Sequence, residues 1–223
     1  MSHGRLIGLS VPRADAIEKV TGQTQYSQDF WMEGMLYGGV LRSPHPSARI
    51  LGLRTSAARQ LPGVYAVVTA EDIPGRKYYG GPTVLDHPVL ASERVMYAGQ
   101  AIALVAAGSN ELVQQALGLI EVEYEILPAV FDPLEALKAD APQIGTTGNL
   151  ASHEWLSCGD LERGFAEADV LVEQTYRTTW VDHAPLETEA GAAWFDEQGR
   201  LTLRIGTQTL EHQQQIAAVL ALS

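Results

Sequence analysis

Short apolar runs separated by turn residues occupy residues 34–124 and predict strands with helices between them. The predicted strands are Gly34–Ser43, Arg49–Leu53, Val64–Thr69, Ala101–Ala106 and Leu119–Tyr124, and the predicted helices are Ser56–Gln60 and Asn110–Leu117. The run Ala101–Ala106 is apolar at successive positions, which is typical of a strand buried on both faces. We therefore interpret residues 101–124 as a β-α-β unit with a covered sheet, and Asn110 as the N-cap of its helix.

A second pattern follows Gly159 and differs in its periodicity. Asp160 as an N-cap, with Glu162 in the first turn, predicts a short helix through Ala168. Apolar and polar residues then alternate from Val170 to Trp180, which predicts a long, half-exposed antiparallel strand. The last predicted elements are a hairpin formed by Glu189–Phe195 and Leu201–Ile205, with Gly199 in its turn, and a helix over Leu210–Leu222.

Composition between the two patterns indicates how the chain is divided. Residues 139–158 are rich in Asp, Pro, Gly, Thr and Asn, as interdomain linkers are. We predict four segments, which are an N-terminal arm at 1–18, an α/β domain at 19–138, this linker at 139–158 and a second domain at 159–223. Residues 71–88 are predicted to form a long irregular loop. The final helix has neither a glycine cap nor a basic last turn, so we expect a fragment or a split subunit.

The charge and the cysteine count exclude several classes of function. The formal net charge is −12 and the sequence has no basic run, which argues against a surface that follows nucleic-acid phosphates. The sequence has neither the roughly 18 consecutive apolar residues of a membrane span nor a signal-peptide core, so we expect a cytoplasmic protein. Cys158 is the only cysteine, so an iron–sulfur cluster or a thiolate zinc site would have to belong to another chain.

One short segment contains residues with catalytic potential. His183 lies near Glu187 and Glu189, a set that could form a metal site or an acid–base pair. The spacing matches no recurring ligand pattern, and two carboxylates on one face of a strand would repel each other. We therefore favour a hydrogen-bonding role and assign neither His183 nor Glu187 to catalysis. A hydrolase built on His183, Glu187 and Cys158 is a weaker alternative.

Short motifs occur along the chain in a characteristic order. They are Lys19-Val20-Thr21-Gly22, Gly34-Met35-Leu36, Arg42-Ser43-Pro44-His45, Leu61-Pro62-Gly63-Val64, Thr69-Ala70-Glu71-Asp72-Ile73-Pro74, Gly99-Gln100, His183-Ala184-Pro185-Leu186-Glu187 and Thr207-Gln208. This series resembles the molybdenum hydroxylases, the family of xanthine dehydrogenases and aldehyde oxidoreductases. The resemblance implies an α+β fold, in which an α/β hammerhead domain precedes the first strands and helix of a molybdenum-cofactor-binding domain.

The same resemblance implies a function and a site. The chain would be part of the molybdopterin-binding subunit of an oxidoreductase that hydroxylates an aldehyde or an N-heterocycle with water as the oxygen source. Gln208 would bind the molybdenum–molybdopterin cofactor by presenting its side-chain amide to an oxo group of the metal centre. A glutamine that caps the following helix is the structural alternative. We assign no catalytic and no metal-ligating residue.

The partners implied by the resemblance are the remaining molybdopterin-domain polypeptide, iron–sulfur and FAD subunits, and a small-molecule substrate. The family's later cofactor-binding segments and its carboxylate base are not among these residues, so we expect the chain alone to be inactive. The alternative function is a non-catalytic interaction or assembly module of a multi-subunit complex, because the apolar end Ala217–Leu222 invites a partner.

Overall fold

A computed structural model describes residues 8–80, 86–145, 148–185 and 187–222. The first seven residues of the predicted arm, part of the predicted loop at 81–85, Leu186 of the His183 motif and Ser223 lie outside these ranges. The chain forms two compact units. The smaller unit combines residues 8–33 with 179–209, and the larger combines residues 34–178 with 210–222.

Helices and strands alternate along much of the chain. In chain order they are α1 (Ala16–Val20), β1 (Tyr37–Arg42), β2 (Ala48–Arg54), α2 (Ser56–Gln60), β3 (Val64–Thr69), β4 (Tyr78–Tyr79), β5 (His87–Pro88), β6 (Arg94–Val95), β7 (Ala101–Ala107), α3 (Asn110–Gly118), β8 (Glu121–Ile126), α4 (Pro133–Ala136), α5 (Leu161–Glu167), β9 (Gly191–Phe195), β10 (Leu201–Ile205) and α6 (Glu211–Val219). Short 3₁₀ helices lie at Ser27–Asp29 and Ala70–Asp72. No helix in the described residues has the length and apolar content that crossing a bilayer requires.

The larger unit is built on two three-stranded sheets. One has the order β1-β7-β3 and the other β6-β2-β8, and every pairing within them is antiparallel. The strands β4 and β5 form a separate short antiparallel pair. Between β2 and β8 of the second sheet, Arg54 pairs with Glu121 directly across from it, at 2.8 Å. Such exposed ion pairs contribute little to stability but help to select one register.

Helices α2 and α3 pack on one face of the first sheet and enclose the main core. Val113 and Ala116 of α3 are buried against Val67 and Val105 of the sheet. A β-carbon on Gly39 would lie 2.2 Å from Cγ1 of Val113, so only glycine allows α3 to lie this close to β1. Leu41 and Leu53 contact both this core and the cluster beneath the second sheet, and so join the two into one apolar interior. The second cluster consists of Ala48, Ala91, Val95 and Ile102.

The predicted β-α-β unit is wrong, because its two strands, β7 and β8, lie in different sheets and do not pair with each other. The prediction that Ala101–Ala106 is covered on both faces agrees with the structure, since no residue of β7 is exposed. On the face that alternates with the α3 side, Val68 and Leu104 pack against the buried cluster of Ala70, Ile73 and Leu90. The N-cap of α3 is Ser109, one residue before the predicted position, and its hydroxyl accepts from the backbone N–H of Leu112.

The predicted strand from Val170 to Trp180 is also wrong, because this segment has no regular secondary structure. Its side chains are exposed on both alternating faces, with Val172 82% and Trp180 92% accessible. A strand requires a neighbour whose backbone completes its hydrogen-bond ladder, and within the described residues none pairs with this segment. Alternation in sequence therefore indicates the capacity to form a strand, while a pairing partner decides whether the strand forms.

Other local predictions are confirmed. Helix α2 and strand β3 have the predicted bounds, and Asp160 caps α5 through a 3.0 Å bond from the backbone N–H of Arg163. Strands β9 and β10 pair as the predicted hairpin, with Gly199 at φ 74° in its turn. These features are determined by residues close together in sequence, which is why a local pattern identifies them.

We expect the Gly39→Ala substitution to destabilise the larger unit by about 1–3 kcal/mol, because the added methyl group overlaps Val113 in a close-packed core. The measurement is the free energy of unfolding from denaturant titration. Gly38→Ala is the matched control, since a β-carbon on this neighbouring glycine meets no atom within 4 Å. Equal stability of the two variants would contradict the proposed close approach.

Candidate functional site

Gln208 lies in a tight turn between strand β10 and helix α6. The Thr207 hydroxyl donates to the carbonyl of Thr209 at 3.1 Å and accepts from the backbone N–H of the same residue at 3.3 Å. The Thr207 side chain thus binds both the N–H and the carbonyl of Thr209, the residue after Gln208. Local hydrogen bonds of this kind stabilise a turn that lies outside regular secondary structure. The Gln208 side chain extends from this braced turn.

The Gln208 amide is exposed and has no hydrogen-bond partner among the described residues. The alternative in which it caps the next helix is not observed, since the N-cap of α6 is Leu210 and no side chain caps that position. A primary amide offers two N–H donors and one acceptor. The side chain is therefore available to a group outside this chain, and its chemistry suits a ligand that presents oxygen acceptors.

The β9–β10 hairpin that leads to this turn is stabilised at its far end by Asp196. The Asp196 carboxylate accepts from the backbone N–H groups of Gln198 and Arg200, each at 2.9 Å, and from Nε of Arg200 at 2.7 Å. These bonds favour the charged carboxylate, the Arg200 backbone bond most of all, and they lower the pKa of Asp196 below its usual value. The hairpin turn is thus closed by an ionised side chain at neutral pH.

The N-terminal segment packs on the same hairpin through an aromatic contact. The rings of Phe30 and Trp194 stack with centroids 4.8 Å apart and an interplanar angle of 18°. The Arg204 guanidinium lies 5.5 Å from the centre of the Phe30 ring and donates to the carbonyl of Gln25 at 2.8 Å. A stack of this kind combines with a cation–π contact to hold the segment on the strands that precede Gln208.

No sequence pattern identifies the contact among Phe30, Trp194 and Arg204. The residues are far apart in the chain, and no local periodicity connects them. A second link in the same unit joins the Thr188 hydroxyl to Oε1 of Gln28 at 2.6 Å. The segment at residues 25–30 is therefore an integral part of the hairpin unit.

The structure does not form a catalytic cluster from the His183 segment. His183, Glu187 and Glu189 are all exposed, and so is Cys158. Among the described residues, no group of three or more His, Cys, Asp or Glu side chains is arranged to hold a metal ion. Ala184, next to His183, has a φ of 42°, which places a sharp turn at this point of the chain. The geometry gives no support to a hydrolase built on His183, Glu187 and Cys158.

Comparison with protein families assigns both parts of the chain. Residues 21–128 match the family described as "Aldehyde oxidase and xanthine dehydrogenase, a/b hammerhead domain", and residues 144–223 match "Molybdopterin cofactor-binding domain". The chain belongs to the molybdenum hydroxylase family. The predicted family and the predicted α+β fold are thereby confirmed.

Curated relatives of this family are similar over most of the chain. A probable xanthine dehydrogenase subunit of Bacillus subtilis is 42% identical over 196 residues, which cover 88% of this chain and 26% of the relative. The nicotinate dehydrogenase large molybdopterin subunit of Eubacterium barkeri is 37% identical, over 98% of this chain and 51% of the relative. The chain thus spans about a quarter of the length of the first relative and about half of the second.

Solved structures agree with this assignment. The aldehyde oxidoreductase of Desulfovibrio desulfuricans superposes with a TM-score of 0.87 at 28% identity, over all of this chain and 26% of that protein. Quinoline 2-oxidoreductase of Pseudomonas putida gives a TM-score of 0.83 at 30% identity, over 96% of this chain and 29% of that protein. The hammerhead domain and the start of the cofactor-binding domain therefore have the family's fold.

We expect the Phe30→Ala substitution to loosen the β9–β10 hairpin, because it removes the stack with Trp194 and the ring beneath Arg204. An aromatic pair contributes about 0.5–1.5 kcal/mol beyond its buried area, so amide exchange in the hairpin should be faster by roughly threefold to tenfold. Hydrogen exchange read by mass spectrometry measures this change. Phe131→Ala is the control, since Phe131 is 77% exposed, and unchanged exchange in the Phe30 variant would refute the anchoring role.

Proposed function

We propose that this chain forms the N-terminal part of the molybdopterin-binding subunit of an oxidoreductase that hydroxylates an aldehyde or an N-heterocycle. The observation that carries the proposal is the order of the two domain matches, hammerhead then molybdopterin cofactor-binding, in one chain. Relatives named for nicotinate, nicotine and xanthine, and structural neighbours named for aldehyde and quinoline, support this class of substrate. A purely structural assembly module has no comparable support.

The overall reaction replaces a C–H bond of the substrate by a C–OH bond. One water supplies the oxygen, and two protons and two electrons are released for each substrate hydroxylated. The molybdenum cofactor, when bound, supplies the two-electron redox centre for this exchange. We propose that the electrons leave through iron–sulfur and FAD partners, because the single cysteine among these 223 residues cannot ligate a cluster.

Gln208 is the residue of this chain that we propose as a cofactor contact. Its amide is exposed, unpaired within the described residues and carried on a turn braced by Thr207. A neutral N–H donor orients an oxygen ligand of a metal centre without adding charge and without binding the metal directly. The turn therefore fits a positioning role at the edge of the cofactor.

This one amide cannot form an active site by itself. The family's other cofactor contacts and its carboxylate base would come from the remaining molybdopterin-domain polypeptide. We therefore propose that the chain is inactive alone, acts within an assembled heteromer, and works in the cytoplasm. The domain limits at residues 18, 138 and 158 remain part of this proposal.

Elemental analysis tests the proposed cofactor. We expect the assembled enzyme that contains this chain to carry about one molybdenum and one molybdopterin per copy, because residues 144–223 match the binding domain. Metal content is measured by mass spectrometry of the purified complex, and the pterin by the fluorescence of its oxidised derivative. A correctly assembled complex without molybdenum would refute the proposed function.

Replacement of Gln208 tests the proposed contact. We expect Gln208→Ala and Gln208→Glu each to lower cofactor retention or kcat by roughly 10- to 100-fold, because both remove the N–H donor and Glu keeps the side-chain size. Gln114→Ala, an exposed glutamine on α3, is the control and should leave both quantities unchanged. If Gln208→Glu behaves like the wild type, the amide donor has no role.

A further inference from the structure

Residues 170–178 form an extended segment whose backbone has no paired neighbour within the described residues. Neither a strand nor a turn of that part of the chain supplies a backbone hydrogen bond to it. The Tyr176 hydroxyl donates to Oε1 of Gln174 at 3.4 Å. Side chains two positions apart meet in this way when the backbone is extended, because alternate residues of a strand share one face. The segment therefore has the side-chain arrangement of a β-strand without a strand beside it.

The two faces of this extended segment differ in charge. One face carries both of its charged side chains, Glu173 and Arg177. The other face has no charge at any of its five positions, which are Val170, Val172, Gln174, Tyr176 and Thr178. Antiparallel strands that cover a core on one side and meet water on the other have this alternation. The uncharged face is therefore suited to burial and the charged face to solvent.

The apolar side chains of the uncharged face are exposed in this chain. Within the described residues, the accessible fraction is 77% for Val170, 82% for Val172 and 81% for Tyr176. Large apolar groups on one side of a strand gain free energy when another surface covers them. A partner that satisfies both the backbone and this face must supply an extended strand and apolar side chains.

Helix α5, which comes just before this segment, is divided in the same way. Leu161 and Phe165 lie one turn apart on one side of the helix and are 52% and 64% accessible. The ion pair of Arg163 with Glu167, at 2.8 Å, lies on the opposite side. An apolar partner surface would thus bury the side that contains Leu161 and Phe165 and leave the ion pair in water.

The partner that these features fit is polypeptide of the same domain. Residues 161–178 lie within residues 144–223, which match the molybdopterin cofactor-binding domain, and the chain spans only 26% and 51% of the two relatives described above. The aldehyde oxidoreductase of Desulfovibrio desulfuricans superposes over all of this chain, which corresponds to 26% of that protein. Segments of one domain meet at a high effective concentration, which favours them over a separate copy.

We infer that residues 161–178 are the docking surface for the remaining molybdopterin-domain polypeptide. An extended strand of that polypeptide pairs with the backbone of residues 170–178, and its apolar side chains cover Val170, Val172 and Tyr176. Glu173 and Arg177 stay in water. The inference rests on the proposed function, and it adds which face of this chain is buried and which backbone the partner pairs with.

Photo-cross-linking in the purified, assembled enzyme tests the partner. Tyr176→p-benzoylphenylalanine places the probe on the uncharged face, and Arg177→p-benzoylphenylalanine is the matched control on the charged face. We expect the probe at 176 to form links to molybdopterin-domain peptides outside residues 1–223, and the probe at 177 to give about a tenth of that yield or less. Links confined to residues 1–223, to a second copy of residues 161–178, or to an iron–sulfur or FAD subunit would overturn the inference.

Two nearly isosteric substitutions test which face is buried. Val172→Asp and Thr175→Asp introduce the same charge on opposite faces. We expect Val172→Asp to lower the yield of assembled enzyme about tenfold or more, because it buries an unpaired carboxylate, and Thr175→Asp to leave the yield within about twofold. Equal yields would overturn the assignment of the buried face.

A milder variant covers the case in which Val172→Asp does not accumulate. Val172→Thr keeps the shape of the side chain and adds a hydroxyl, so amide exchange of residues 170–178 in the assembled enzyme should be at least about threefold faster than in the wild type. Unchanged exchange would again overturn the assignment of the buried face.

The wild-type enzyme separates this inference from the proposed function. We expect the amides of residues 170–178 to exchange at least about a hundredfold more slowly than those of an unstructured peptide, because a paired strand protects them. Unprotected amides in an enzyme that contains molybdenum would overturn the strand pairing alone. Protected amides in an assembled enzyme without molybdenum would overturn the proposed function and leave the docking surface standing.

Discussion

The close approach of helix α3 to strand β1 at Gly39 is the constraint on which the larger unit depends. Because no side chain separates them there, Val113 and Ala116 reach the sheet and fill the space over Val67 and Val105. Close-packed interiors tolerate little added volume, so this distance determines which side chains the rest of the core can hold. The second sheet joins the same interior through Leu41 and Leu53 and so depends on it.

The smaller unit is stabilised differently. Among the described residues, none of its hydrophobic side chains is fully buried, and its two strands form an isolated hairpin. Such hairpins are marginal in water unless something packs on them. Here the Phe30–Trp194 stack, the Arg204 contacts and the Asp196 turn supply that support.

Local features were predictable from the sequence, whereas contacts between distant segments were not. Leu61-Pro62-Gly63 marks the start of β3, Asp160 marks the start of α5, and Gly199 marks the hairpin turn, each through chemistry contained in a few residues. The pairing of β7 with β1 and β3 depends on loop closure over many residues, which periodicity does not encode.

The candidate site shows the same contrast between features that a local pattern predicts and contacts that only the fold reveals. Gln208 was proposed as a cofactor contact by resemblance to a family, since one exposed glutamine has no distinguishing pattern of its own. The stack of Phe30 on Trp194 joins residues far apart in the chain, and only the fold reveals it. The strand prediction for Val170–Trp180 failed for a different reason, because the alternation is real but none of the described residues pairs with this segment.

That exposed segment also has a consequence for the behaviour of the polypeptide in solution. Val170, Val172, Tyr176 and Trp180 have high strand propensity, and among the described residues no strand pairs with their backbone. This combination promotes aggregation between chains. Glu173 and Arg177 interrupt the run at intervals of a few residues, as charged gatekeepers do in natural sequences. The two charges therefore oppose the pairing of this exposed segment with copies of itself.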